Sequence, residues 1–343
     1  MPIKTNQYIL ISLLSFVFIV FLVSSAVLFR VKTREIVPLL EITIPKDSTA
    51  NTVADILASK GIISNQFEFK FAIRILNASS SLKAGIYNLS PNMPLIKIVL
   101  MLKNGEFYNV PVKLVVPEGF SIYAISKLLE KNDIDGGLSF YYKNTESGIT
   151  SALEAKYPFV KTIKTRSLEG YLFPDTYLIS PMSSDETIVE IMLDRFNQMV
   201  IPIWNKRSPN NLSLNEIITL ASIIEKEAHI QKERPIIASV FYNRLAKGIA
   251  LGADPTIKYA LENPKKTVYL KDLKVNSAYN TYTNRGLPPG PICNPGISAI
   301  NAALNPAKTN YYFFVARGDG SHEFLMTFEE HKKAKAKYRK KML

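Results

Sequence analysis

The sequence predicts an α+β protein carried on a single N-terminal transmembrane helix, and three observations lead there. Residues 8–29 form a run of 22 positions without a charge, long enough for one bilayer crossing. A strand–turn–helix pattern then occurs twice, at a constant offset of 72 residues. Beyond it come a capped apolar helix, a long irregular segment rich in Pro, Gly, Asn and Tyr, and two aromatic strands, which together read as a mixed domain.

At 343 residues and 47% hydrophobic, the chain is long enough for a membrane segment and two modest domains. The run YILISLLSFVFIVFLVSSAVLF (8–29) reads as a retained anchor. A cleaved signal peptide has a shorter apolar core, although VSSA offers the small residues that cleavage requires. Residues 1–7 precede the run. Lys4 lies before it and Arg30, Lys32 and Arg34 after it, so the positive-inside rule alone does not favour export of the C-terminal part. Cys293 is the single cysteine, which excludes a disulfide within the chain and a lipid attached near the N-terminus.

The formal charge of +13 points to an acidic partner: nucleic acid, anionic lipid or a polymer bearing carboxylates. No zinc-finger spacing, RNP-like aromatic motif or basic recognition helix accompanies it, so nucleic acid is not expected as a partner. Part of the excess lies in the closing HKKAKAKYRKKML, which reads as a solvated helical tail.

The two related stretches are IPKDSTANTVADILASKGI from Ile44 and VPEGFSIYAISKLLEKNDI from Val116, with Pro45 matching Pro117, Ile56 matching Leu128, Leu57 matching Leu129 and Ile62 matching Ile134. Each reads as a short strand, a turn opened by Pro and an amphipathic helix. The first copy continues through SLKAGIYNLSP and a second helix, MPLIKIVLMLKNG, to make a small β-α-α-β unit from about residue 38 to 110. The second copy leads into a longer region, 111–343, where the chemically interesting residues lie.

Within that region Ser213 and Glu216 form a capping-box signature, and the apolar residues behind them run to Ala228 without Pro or Gly, as a helix requires. At about 100° per residue from Leu214, the residues Ile217, Ile218, Ala221, Ile224 and Ala228 form one stripe, and Glu225 falls within it at about 20°. Glu227 falls at about 220°, beside Glu216, Leu220 and Ile223 on a mixed flank. Only Glu225 is thus expected on the core side. Left unpaired there, its carboxyl has a raised pKa, as a general acid near neutral pH requires. Spacing leaves other readings equally open: a pair with a buried Lys or Arg, or a shifted helix with both glutamates exposed.

The aromatic and acidic cluster SLEGYLFPDTYLI (167–179) precedes this helix, and RPIIASVFYNRLAKG and GADPTIKYAL follow it. The stretch AYNTYTNRGLPPGPICNPGISAI (278–300) lacks helical or strand periodicity. Long irregular segments in compact domains are usually functional. Its Tyr and Asn side chains suit a sugar chain, through stacking and hydrogen bonds, and a structural Ω-loop is the alternative. Strands return in YYFFVARG and SHEFLMTF.

Several chemistries are excluded. Three histidines (His229, His322, His331) and one cysteine give no usual metal-ligand spacing. Ser298 in GISAI lacks the second glycine of a nucleophile elbow, and GDGS at 318–321 is a turn rather than a phosphate loop. Carboxylate chemistry remains. Ordinary glycosidases use two flanking carboxylates, and here only Glu225 is well placed; Glu169 and Asp254 are possible seconds whose distance nothing local sets.

The strings VPEGFSI, LEGYLFPDTY, LASIIEKEA, ASVFYNRL, LGADPTIKYA, AYNTYTNRGLPPGPICNPG and FVARGDGSHEF together resemble the YceG-like endolytic murein transglycosylases, also called MltG, over essentially the whole chain. The resemblance implies an inner-membrane protein with a cytoplasmic N-terminus at 1–7, one span at 8–29, a LysM-like subdomain at 38–110 and an extracytoplasmic catalytic domain at 111–343. That domain cleaves the MurNAc–GlcNAc bond within nascent peptidoglycan strands and so terminates glycan elongation. The first Glu of the family's EKE string maps onto Glu225. One glutamate suffices, because the C6 hydroxyl of N-acetylmuramic acid attacks its own C1 and leaves a 1,6-anhydro end; no metal or organic cofactor is implied. The resemblance also places Glu169 and the Asn280/Tyr282 loop along the glycan groove, although Glu169 could equally close a turn before Gly170. Partners are glycan strands, the membrane and peptidoglycan synthases. Because peptidoglycan lies outside the cytoplasmic membrane, residues 30–343 are expected there too. A peptidoglycan-binding scaffold with a dead site and a water-using muramidase are the rival functions.

Overall fold

The computed structural model describes Leu28 and residues 38–105, 111–132, 134, 137–181, 183–207, 211–261 and 268–339. Apart from Leu28, the run 8–29 lies outside the described residues, and among these no helix is long and apolar enough to cross a membrane. The chain divides into two compact units, Met1–Val110 and Pro111–Leu343.

In the first unit, strand β1 (Leu40–Ile44) is followed by helices α1 (Ala50–Ser59) and α2 (Gln66–Ile75), strand β2 (Gly85–Leu89) and helix α3 (Leu95–Asn104). The strands are antiparallel, with Ile42 opposite Tyr87 and Ile44 opposite Gly85. Alternation turns Ile42 and Ile44 inward, as a half-buried strand requires. They meet Val53 and Leu57 of α1, Phe69 of α2, and Val99 and Leu102 of α3 in one core. The β-α-α-β order is present, but its second helix is α2, and MPLIKIVLMLKNG follows β2 as an added helix. Asn65 caps α2 by accepting from Phe67 N at 2.8 Å. That local signal marks a helix start.

The second unit opens with strand β3 (Val112–Val115), helices α4 (Ile122–Lys131), α5 (Gly137–Glu146) and α6 (Ser151–Lys156), and strand β4 (Thr176–Ile179). β3 and β4 are antiparallel, Leu114 opposite Tyr177. The 72-residue repeat holds at the level of single residues: α1 and α4 start and stop at matching positions, their caps Thr49 and Ser121 match, and Asp47 and Gly119 both adopt positive φ. Helices α7 (Asp185–Met199), α8 (Ile201–Lys206), α9 (Leu214–Glu227), α10 (Arg234–Ala246), α11 (Asp254–Ala260) and α12 (Ile297–Leu304) follow, then the antiparallel pair β5 (Phe313–Ala316) and β6 (His322–Leu325), and helix α13 (Phe328–Arg339). The irregular segment reaches only to Gly296, since ISAI opens α12.

α9 is the central helix. Its capping box is complete, with Ser213 Oγ accepting from Glu216 N at 3.3 Å and Glu216 Oε2 accepting from Ser213 N at 2.9 Å, worth about 1 kcal/mol. Every residue from Ile217 to Ile224 is buried, so the helix is enclosed on all sides rather than along one stripe. Leu220 and Ile223, expected on a mixed flank, are core residues. α12 and α10 pack against it.

Candidate active site

Glu225 lies in the last turn of α9, where the unsatisfied carbonyls of a helix end disfavour a carboxylate. Its side chain is 6% exposed. One oxygen, Oε1, accepts from Arg234 Nη2 at 2.7 Å, and the other, Oε2, accepts from Gly296 N at 3.0 Å. Of the readings that spacing left open, the structure therefore selects a buried pair. Arg234 is the first residue of α10, with Pro235 holding the first turn behind it, as Pro does at helix starts. A cation at that end opposes the helix dipole, so Arg234 is placed against local preference and is held there by its carboxylate partner. The preceding residue is pinned too: Glu233 accepts from His322 N at 3.0 Å and pairs with His322 Nδ1 at 2.7 Å. Burial raises the Glu225 pKa; the Arg234 charge and the Gly296 amide pull against it, and the nearby Glu118 carboxylate adds to the rise. Burial outweighs these, so the carboxyl holds its proton more tightly than an ordinary glutamate even beside a guanidinium.

Three distant segments converge on this point, and Asn294 joins them. Its Oδ1 accepts from Gly170 N and Leu172 N, both at 2.9 Å, while its Nδ2 donates to Phe120 O at 2.9 Å and to Glu169 Oε1 at 3.2 Å. Its backbone pairs with Phe120 O at 2.8 Å and Gly119 N at 2.9 Å. Ile292 N reaches Ser222 Oγ on α9 at 3.0 Å. Gly170 has φ +92, and a Cβ there would stand 2.4 Å from Pro291 Cγ, which only glycine tolerates. Lys226 Nζ donates to Gly119 O at 3.2 Å. Segments 119–122, 169–172 and 292–296 are thereby locked over the C-terminal end of α9.

Two of the residues expected along the glycan groove are buried in the fold. Glu169 accepts from Ile122 N at 3.1 and 3.2 Å and anchors the start of α4. Burial pushes its carboxyl up to about 8 against those hydrogen bonds. Asn280 is also buried; its Nδ2 donates to Leu273 O at 3.0 Å and Val275 O at 2.8 Å, and its Oδ1 accepts from Tyr282 N at 3.0 Å. It shapes the loop. Tyr282 stays accessible at 38%, with its hydroxyl on Asp254 Oδ1 at 2.5 Å.

Asp254, the other possible second carboxylate, acts on Glu227 rather than on Glu225. Glu227 itself is half-buried. Burial and the Asp254 charge raise its carboxyl to about 8, with Lys258 opposing. The carboxylate that does approach Glu225 is Glu118, which sequence reasoning missed. Its Oε2 lies 3.7 Å from Arg234 Nη1, with the Glu118 side chain 42% exposed. A signal existed in the repeat, where Lys46 occupies the matching place in the first copy.

A protonatable carboxyl in an enclosed polar setting, joined by one cation to a half-exposed carboxylate, is equipped to deliver a proton and to stabilise the charge left behind. Comparison with known proteins agrees in outline. The chain is 36% identical over 307 residues to the endolytic murein transglycosylase of Bacillus subtilis, covering 87% of this chain and 84% of that one. It is 31% identical over 294 residues to the endolytic murein transglycosylase of Streptococcus pneumoniae D39, covering 80% of this chain but about half, 53%, of that longer protein. The crystal structure of a yceG-like protein from Listeria monocytogenes superposes with a TM-score of 0.60 at 37% identity, covering 86% of this chain and 98% of that one. The model of the YceG-like family matches residues 42–337, and the chain belongs to that family.

Proposed function

We propose that the protein is an endolytic murein transglycosylase acting within peptidoglycan strands, with Glu225 as its general acid and base. The observation that carries the reading is the enclosed Glu225, its pKa raised by burial, in a chain that matches a relative of that name along most of both lengths. Glu225 gives its proton to the glycosidic oxygen as the bond from C1 of N-acetylmuramic acid breaks and its electron pair passes to that oxygen. The C6 hydroxyl oxygen then bonds to C1, and its proton goes to the Glu225 carboxylate. The nucleophile is intramolecular, so no water enters, and Arg234 and the Gly296 amide stabilise the carboxylate between the two transfers. Digestion of purified peptidoglycan is expected to yield strands ending in 1,6-anhydro-muramic acid by mass spectrometry. Reducing ends as the main product would make the protein a muramidase, and no cleavage at all would make it a binding scaffold.

Residues 8–29 serve, in the same reading, as the membrane span, with 30–343 on the outer side. Support comes from the 22 uncharged positions and from the substrate, which lies outside the membrane. The protein is expected in the membrane fraction after alkaline extraction, with its N-terminus retained. A soluble mature form beginning near Ala26 would reverse this. The first unit acts as a LysM-like spacer that positions the catalytic unit, a reading supported by its β1-α1-α2-β2 order; peptidoglycan synthases fit as partners because the substrate is the strand that they extend.

A further inference from the structure

Glu225 must be neutral before it gives its proton and charged afterwards, while Arg234 keeps its charge throughout. The Arg234 side chain is only 7% exposed. Each time Glu225 takes up a proton, the guanidinium would be left as a buried cation with no partner, which is costly. The geometry offers it another. Among the described residues Arg234 Nη1 and Nε have no hydrogen-bond acceptor, and Nη1 points to Glu118 Oε2 at 3.7 Å, a distance that closes to about 2.8 Å in a charged hydrogen bond. Glu118 crosses directly over Gly296, where a Cβ would stand 1.9 Å from its Oε1. The residue whose amide holds Glu225 thus also makes room for Glu118. One carboxylate is engaged and the other poised, on two arms of one guanidinium.

We propose that Glu118 is a positioning residue that takes Arg234 while Glu225 is protonated and releases it when Glu225 ionises, so that the guanidinium alternates between two carboxylates in every turnover. The inference rests on Glu225 being the general acid. As the proton passes to the glycosidic oxygen, Arg234 Nη2 closes on the new carboxylate. When the C6 hydroxyl proton returns to Glu225, Nη1 closes on Glu118. One proton leaves and one comes back, so no co-reactant is required. The other groups facing Glu225 are engaged elsewhere or neutral. Lys226 is tied to Gly119 O, the buried Cys293 thiol is pushed well up and uncharged, and Glu233 is occupied by His322. Glu169 bears on Lys226 and Cys293 and is held by Ile122 N and Asn294.

The test is the pH profile of anhydro-product formation by full-length Glu118→Gln on purified peptidoglycan. Without the Glu118 charge, Arg234 stays on Glu225 and lowers its pKa. The alkaline limb is therefore expected to move down by about one pH unit, with a roughly tenfold loss of rate at pH 7. Glu118→Asp, which keeps the charge on a shorter arm, is expected to place the limb between the two, and thermal unfolding of both variants to match the parent because Glu118 is half-exposed. An unmoved limb overturns the proposal, whether the rate is normal or uniformly reduced. Glu225→Gln run in parallel separates the two levels. If that variant cleaves normally, the general-acid assignment falls and takes this inference with it; if it is inactive while the Glu118→Gln limb stays put, only the inference fails.

Discussion

Glu225→Gln is expected to lower anhydro-product formation by a factor of about 10² to 10⁴, the usual worth of general acid–base catalysis, while leaving the fold intact. The amide keeps the shape of the side chain, can still accept from Arg234 Nη2 or Gly296 N, and leaves Arg234 with Glu118 as an available anion. Glu227→Gln is the matched control, two residues away in the same turn, and its loss of rate is expected to be small. Its effect is on stability instead. The Glu227 carboxyl rises from its ordinary 4.5 to about 8 in the fold. Below pH 4.5 both folded and unfolded forms carry the proton; between about 4.5 and 8 the unfolded form loses it first, so this group makes stability fall as pH rises through that window. The amide of Glu227→Gln has no proton to lose, and the variant is expected to show a flatter dependence there. Product assays and thermal unfolding of both variants across that range check the pair. A normal rate with Glu225→Gln beside an inactive, well-folded Glu227→Gln would reverse the assignment.

What could be read from the sequence was what repeats or periodicity encode. The capping box at Ser213 uses neighbours within one turn of helix and the 72-residue repeat a recurring pattern, and both have counterparts in the structure, whereas the apolar stripe that includes Glu225 is only one side of a helix buried all round. Arg234 escaped because its pairing depends on how Ala228–Glu233 turns the chain, which the His322 clamp from β6 decides. Glu118 comes from the turn before α4, and no spacing rule links it to Glu225.

Glu169 and Asn280 show what buried polar residues do in irregular segments. An irregular backbone leaves N–H and C=O groups without ladder partners, and buried ones must be satisfied by something. Glu169 serves Ile122 N, Asn280 serves Leu273 O, Val275 O and Tyr282 N, and Asn294 serves Gly170 N, Leu172 N and Phe120 O. Sequence alone presents such residues as ligands for a substrate. In the fold they are ligands for the backbone that supports the site. Helix α2 was missed for a related reason, since its phenylalanines at 67, 69 and 71 recur every second residue and blur the helical period.

Arg234→Met is expected to have the largest effect on stability, about 3–5 kcal/mol, the cost of removing one partner from a buried ion pair. The loss is pH-dependent, and its sign follows from the partner left behind. Without the guanidinium, Glu225 loses the main influence that lowers its pKa, so its folded value rises further above the unfolded one. Such a group favours folding at low pH, and that contribution is lost as pH climbs from the unfolded value through the folded one. The variant should therefore be nearest to the parent in acid and progressively weaker as pH rises. Activity should fall as well, because the carboxylate formed after proton transfer has lost its counter-charge. Arg234→Lys keeps a charge but not the two-armed fork that reaches both Glu225 and Glu118, and is expected to recover stability more than rate. The decisive comparison is the double variant Glu225→Gln with Arg234→Met. If the buried pair is the source of the loss, removing both charges should restore part of the stability lost in Arg234→Met at pH 7, giving a coupling of about 0.5–3 kcal/mol in a double-mutant cycle. Additive losses in denaturant unfolding would mean that Arg234 supports the fold through its packing, and that its charge is not what holds Glu225.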